Sequence, residues 1–377
     1  MSLKVDMVDL KRQHASLRND IHKTLDDVMD ESMFIQGSFV KEFEENASKF
    51  QGIEYCIGSG SGTGALIIAL KALKVRRGDQ VIIPANGHAS AVEAVLLCGG
   101  RPVFSDVDPK TFTLTSDTIL PLLNKKTVGI IAVHLYGQVI PMNDFAELKE
   151  KHELWILEDS AQAIGSRWED PETGKTIPAG GYGDVSAFSF YPTKNLGAIG
   201  DAGACMTNDE KLARQIRMIG DHGQIEKDFH VLTGVNSRLD NLHAAILNVK
   251  LRHLEDLIEK RRLNAKMYFD KLKPNGYFSL PFVHPKAYHT FHQFVLTFKT
   301  EKRDEFREYL KSKGIQTQIH YPVTLNNQPA FRRYVKKEND LRNSNWLVNN
   351  IVSIPIHSEL RNEEVEYVVE TINTFCE

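Results

Sequence analysis

Between residues 55 and 207, short runs rich in β-branched and aromatic residues alternate with helix-like stretches. The runs are DQVIIPA (79–85), RPVFSDVD (101–108), VGIIAVHLYG (128–137), LWILEDSA (154–161) and GDVSAFSFY (183–191). Several are apolar on both alternations. A strand carries that composition when both its faces are covered, as in a parallel sheet with crossover helices packed on each side. The pattern predicts an α/β fold with a mostly parallel central sheet sandwiched by helices.

Residues 236–272 hold no Pro or Gly and carry Leu239, Leu242, Ile246 and Val249 at helical spacing, so one long helix is predicted, stopped by KPNG at 273–276. Beyond it, FHQFVLTF and GIQTQIHY read as strands and NEEVEYVVETINTF as a closing amphipathic helix. The polar, turn-rich stretch 167–184 reads as a hairpin or loop near the strand ends. The expected organisation is a large domain over 1–250, N-terminal segment included, and a smaller C-terminal α/β domain over 251–377.

Composition excludes several classes of function. With a net charge of -3 and 42% apolar residues, the chain is neither disordered nor a basic nucleic-acid binder. No apolar run approaches the roughly 20 residues of a membrane helix, and MSLKVDMVDLKRQ lacks the apolar stretch of a signal peptide. The cytoplasm is the expected home, with no membrane or nucleic-acid partner. Cys56, Cys98, Cys205 and Cys376 are widely spaced and form no CxxC pair, so reduced thiols are expected and no metal site.

Three segments carry chemistry. IGSGSGTGALIIALKAL opens as a glycine- and hydroxyl-rich turn and continues as an apolar helix, whose free first-turn amides suit a phosphate. It is neither a Walker loop nor a clean dinucleotide fingerprint, which weighs against a nucleotide-dependent oxidoreductase. LWILEDSAQA sets Glu158, Asp159 and Gln162 after an apolar strand, at the carboxyl end where open α/β sheets bind ligands. SFYPTKNLGAIGDAG sets a lone amine, Lys194, in a glycine-rich turn, read alone as a phosphate loop, a surface turn or a covalent lysine. Together an anion-holding helix start, a carboxylate and an isolated amine are what pyridoxal 5'-phosphate requires: an anchor, a partner for its ring nitrogen and a Schiff-base amine.

The chain resembles the DegT/DnrJ/EryC1/StrS family of pyridoxal-phosphate aminotransferases acting on nucleotide-linked keto-sugars. The resemblance rests on VDMVDLKRQH, FIQGSFVKEFE, SGSGTGALIIAL, VFSDVDPKTFTL, VHLYGQ, EDSAQAIGS, FSFYPTKNLGAIGDAGA, NSRLDNLHAAIL and IHYPVTLNNQPAF, all in the family's order. It implies the aspartate-aminotransferase fold, fold type I. It makes Lys194 the lysine that bonds the cofactor and Asp159 the partner of the ring nitrogen. It sets Gln162 near the ring hydroxyl, and Gly62, Thr63 and Ser189 on the phosphate. Asn236 matches an asparagine that reaches the phosphate from a neighbouring subunit, implying a homodimer with shared active sites. His88 stands where the family usually stacks Phe, Tyr or Trp on the cofactor ring.

The implied reaction is ping-pong transfer of the amino group of L-glutamate to a keto-sugar nucleotide, supplying amino sugars for surface polysaccharide or related glycans. Lys194 shuttles the proton. A dehydratase branch of the family carries His in place of that lysine, so transamination is expected here. VHLYGQ and IHYPVTLNNQPAF look more like enzymes acting at C3 than at C4 of the sugar. Candidate sugar or nucleotide contacts are Arg238, His320, Tyr321 and Gln328, although Leu325 and Asn327 depart from the family's pattern in that loop. A non-catalytic pyridoxal-phosphate-binding sensor is the competing reading.

Overall fold

The alternating pattern folds into a seven-stranded sheet in the computed structural model, which describes residues 3–299, 301–335 and 340–377. Its strands are β1 (Tyr55–Ser59), β2 (Gln80–Pro84), β3 (Arg101–Ser105), β4 (Thr127–Val133) and β5 (Trp155–Asp159), followed, after a side hairpin of β6 (Arg167–Glu169) and β7 (Thr176–Pro178), by β8 (Val185–Ser189) and β9 (Gly203–Thr207). The order across the sheet is β1-β9-β8-β5-β4-β2-β3. Only β9 runs against the others. Every residue of β2 and β9 is buried, as the two-sided apolar composition requires.

Because the remaining strands run the same way, their carboxyl ends share one edge of the sheet. Register makes that edge compact: Ser59 and Ser189 both pair with Gly203, and Val133 pairs with Asp159. Helix Gly62–Ala72 leaves this edge after β1, its N-cap Ser61 accepting from the Gly64 N–H at 3.0 Å. It drives Leu66, Ile68 and Leu70 into the core, each worth about 1.5–3 kcal/mol of burial. The helix start crosses directly over β9. A Cβ on Gly203 would lie 2.5 Å from the Ser61 carbonyl and 2.7 Å from the Gly62 nitrogen.

A second core forms around a three-stranded antiparallel sheet, with Phe294–Phe298 between Phe278–Ser279 and Ile351–Ile354. Helices Leu254–Lys271, Arg303–Ser312 and Asn362–Phe375 surround it, and Tyr268, Phe298, Phe306 and Ile372 fill it. The first residues of the chain join this core: Val5 bridges Ile315, and Arg12 pairs with Glu364 at 2.8 Å. The closing helix spans residues 362–375 as the sequence predicts, and the turn-rich stretch contains the β6–β7 hairpin.

Two expectations are corrected. The predicted helix over 236–272 is two, Asn241–Leu251 and Leu254–Lys271, with a bend at Arg252 and His253. The first half is buried on nearly every side between helices Arg18–Glu31 and Ser38–Gln51, while the second turns one face to the other core. No single straight helix satisfies both packings. GIQTQIHY is not a strand; it makes isolated bridges from Ile315 to Val5 and from Gln318 to Ser353.

Gly203→Ala forces its methyl into the Ser61–Gly62 backbone, so denaturant unfolding of the cofactor-free protein should show a loss of about 1–3 kcal/mol. An unchanged midpoint would mean that the helix start moves aside at no cost.

Candidate active site

The shared strand edge holds a pocket of about 580 Å³. It gathers Gly62, Thr63, His88, Asp159, Gln162, Ser189, Lys194, His320 and Tyr321, nine of the residues singled out by sequence. Asn236, Arg238 and Gln328 lie outside its wall within one chain. Asn236 is exposed and bridges Asp221, which also pairs with Arg238 at 2.8 Å. The loop before Gln328 docks on the His88 turn, the Leu325 N–H donating to the Ala85 carbonyl at 2.8 Å. A larger groove of about 740 Å³, lined by Tyr55, Met218, Asp221 and Ile225, lies elsewhere; its amine, Lys227, and its acids Glu210 and Glu226 are exposed.

At one end of the pocket is an anion cradle. Gly62 and Thr63 occupy the first helical turn, where the backbone N–H groups lack intrahelical acceptors and the helix dipole favours negative charge. Ser189 closes the cradle from β8. A Cβ on Gly62 would fall 2.7 Å from Ser189 Cβ, so glycine is what lets the hydroxyl and the helix start converge.

Asp159, only 7% exposed, ends β5 and accepts one hydrogen bond, from the Ala161 N–H at 3.1 Å. Burial raises its pKa, opposed by that bond and by the Lys194 charge. It is an acid placed where a cation would be welcome. Lys194 faces the same space from the turn after β8, and desolvation lowers its ammonium pKa to about 8 against the pull of Asp159. Burial likewise lowers His320 to about 4 and, with the Asp159 charge, pushes the Tyr321 hydroxyl up to about 12, so both are neutral at pH 7.

Gln162 braces this wall by accepting from the Tyr136 N–H at 2.7 Å and donating to the Tyr321 hydroxyl at 3.2 Å. The His88 ring meets Tyr321 edge-on, centroids 5.9 Å apart, and its Nδ1 accepts from the Ser90 N–H at 3.3 Å. Beneath the pocket, Glu158 and His134 are fully buried and 2.7 Å apart. The His134 Nδ1 accepts from the Ile140 N–H, leaving Nε2–H to donate to Glu158. Burial raises Glu158, but His134 and the amides of Gly183 and Gly180 hold it below the usual carboxylate range.

Sequence reading missed Met7, Arg261, His292, Gln293 and Gln318, which also line the pocket. They come from distant segments with no local motif, and Arg261 is one of several charged residues in an ordinary amphipathic helix, so no sequence signal sets it apart.

The residues fit pyridoxal 5'-phosphate: an anion cradle, a buried acid without a cation in contact, and an amine of lowered pKa face one cavity of suitable size. Comparison with known proteins agrees. The model of the DegT/DnrJ/EryC1/StrS aminotransferase family matches residues 15–373, and the chain belongs to that family, whose aminotransferases use this cofactor. It is 40% identical over 377 residues to a pleiotropic regulatory protein of Geobacillus stearothermophilus, covering 99% of both chains. It is 35% identical over 368 residues to the UDP-N-acetyl-3-dehydro-alpha-D-glucosamine 3-aminotransferase of Acidithiobacillus ferrooxidans, covering 98% of this chain and 97% of that one. Among solved structures, S. venezuelae DesV in complex with a ketimine intermediate matches with a TM-score of 0.94 and 32% identity over 99% of both chains.

In cofactor-free protein, labelling of Lys194 by an amine-reactive reagent, followed by peptide mass spectrometry, should reach half its maximal rate near pH 8 rather than near 10.5. Because the Asp159 charge raises the Lys194 pKa, Asp159→Ala should move that midpoint lower still. A midpoint moving upward would contradict the assigned electrostatics.

Proposed function

We propose that the chain transfers the amino group of L-glutamate to the 3-keto position of a nucleotide-linked sugar, in a homodimer whose active sites are shared. The observation that carries this reading is the facing of Lys194 and Asp159 across one pocket. Similarity to a 3-aminotransferase of a UDP-linked sugar supports the C3 position.

Gly62, Thr63 and Ser189 would hold the cofactor phosphate, Asp159 the protonated ring nitrogen, and His88 and Gln162 the ring's surroundings. Bound there, pyridoxal phosphate supplies an electron sink for transfer of the amino group. Lys194 Nζ, with its pKa lowered to about 8, is the base that takes the proton from the donor's α-carbon and gives one back to the sugar carbon. Buried Asp159 favours a cation in contact, so it keeps a ring nitrogen protonated. His320 and Tyr321, neutral at pH 7, can hydrogen-bond a sugar without adding charge.

A shared site is supported by exposed apolar residues. Met33, Phe34, Ile35, Ile225, Phe229 and Leu232 are each more than 40% exposed. Asp221 accepts from Gln36 and Gln224, bringing the 33–36 segment beside the hairpin that carries Ile225 and Phe229. Asn236 and Arg238 adjoin this surface, where they would serve a neighbouring subunit's pocket. The second core supports a division into a large unit, 1–250, and a small one, 251–377, with Val5 crossing between them.

A regulatory relative at 40% identity favours a second reading, a cofactor-binding sensor that does not turn over. The two separate by colour. A catalyst is yellow, bleaches with glutamate and recovers with a keto-sugar nucleotide, whereas a sensor stays yellow. Product analysis against 3-keto and 4-keto sugar nucleotides tests the position, and a 4-amino product would overturn C3. Lys194→Ala should abolish bleaching, with a loss of about 10²–10⁴ in the proton-transfer rate. Borohydride should fix the cofactor on the Lys194 peptide; fixation elsewhere refutes the assignment.

A further inference from the structure

Among the described residues, Lys194 and Arg261 are the only Lys or Arg side chains in the pocket wall. Arg261 comes from helix Leu254–Lys271 and is 5% exposed. Its guanidinium donates to one protein acceptor, the Phe291 carbonyl, at 3.3 Å. Among the described residues no carboxylate lies within 4.0 Å of it. Burial lowers its pKa to about 10, only partly offset by the more distant charge of Glu359, so it remains a cation at neutral pH. Five N–H donors on a buried charge are costly to leave unmet.

Its neighbours in the wall supply no anion. His292, adjoining Phe291, is kept neutral by burial and by the Lys194 and Arg261 charges. Gln293 carries a buried amide oxygen with no donor. The wall's acids, Asp159 and Asp201, repel an incoming anion. The phosphate cradle is built by other elements, from Gly62, Thr63 and Ser189. What remains is a pre-formed cationic fork, whose planar geometry matches the two oxygens of a carboxylate.

We propose that Arg261 is the carboxylate-binding residue of this pocket and that it takes a carboxylate of the amino-acid donor. The inference rests on the aminotransferase reading above. The donor brings a carboxylate into the pocket in every turnover, while Lys194 is occupied with the reacting atoms. A carboxylate on a sugar acid has the same chemistry, and the two half-reactions tell the sources apart.

The test uses cofactor-loaded parent, Arg261→Lys and Arg261→Gln proteins. For Arg261→Gln, half-saturating glutamate in the bleaching reaction should rise about 10- to 100-fold, with half-saturation by the amino-sugar nucleotide in the reverse half-reaction within about twofold of the parent and Arg261→Lys intermediate. Succinate, which cannot react, should bind the parent in calorimetry and fail to bind Arg261→Gln. Equal glutamate half-saturation and equal succinate binding in parent and Arg261→Gln would overturn the proposal. A rise confined to a uronic-acid nucleotide, absent with a neutral sugar, would overturn the donor assignment and give the carboxylate to the sugar.

Should the variants not retain fold or cofactor, the parent alone decides: succinate should slow phenylglyoxal modification of Arg261, read by peptide mapping, and no protection overturns the proposal. Failure of the parent to bleach with glutamate would instead overturn the aminotransferase reading.

Discussion

One buried anion organises the edge on which everything else is built. Glu158, with no exposure, meets the His134 imidazole and the backbone amides of Gly180, Tyr182 and Gly183. His134 follows β4, Glu158 lies in β5, and the three amides belong to the turn entering β8. A single carboxylate therefore ties the ends of three neighbouring strand segments. Removing the His134 donor would leave the buried Glu158 carboxylate short of a hydrogen bond, at a cost of about 1–3 kcal/mol or more. The register of Asp159, one residue further along β5, depends on that constraint, as does the path of β8 to Ser189 and Lys194.

Above this layer the site works through mutual disfavour of charge. Burial raises the Asp159 carboxyl and lowers the Lys194 ammonium, while each offsets part of the other's shift. Neither group is satisfied by the protein alone. An acid that wants a cation and an amine held close to neutrality are complementary to a cofactor that offers a protonated ring nitrogen and an aldehyde carbon. The neutral His320 and Tyr321 add no charge beside this pair.

Much of this was legible along the chain because it is local. Strands covered on both faces must be apolar on both alternations, so β2, β4, β5 and β8 were found by composition. The glycine-rich helix start at Gly62, Asp159 and Lys194 each follow or end a strand at its carboxyl end, where sequence order and spatial position coincide. What was not legible depends on packing between distant segments. Nothing in residues 236–272 marks the bend at Arg252, since it arises from two cores demanding different helix directions. GIQTQIHY has strand composition but meets only single residues of Val5 and Ser353. Arg261 and His292 enter the pocket from segments whose local pattern is ordinary, and only three-dimensional contact reveals a charge without a counter-charge. Gly203 reads as one glycine among many until the helix start is seen crossing over it.

The first turns of the chain reach its last helix. Met7 and Val8 line the pocket, held by the Val5–Ile315 bridge and by the Arg12–Glu364 pair. During synthesis these residues leave the ribosome long before their partners Ile315 and Glu364 are made. The sheet can assemble while translation proceeds, since its strands end at residue 207. The pocket cannot. Its wall is finished only when the segments carrying Tyr321 and Glu364 are free, so a product truncated before them would have the sheet without the completed site.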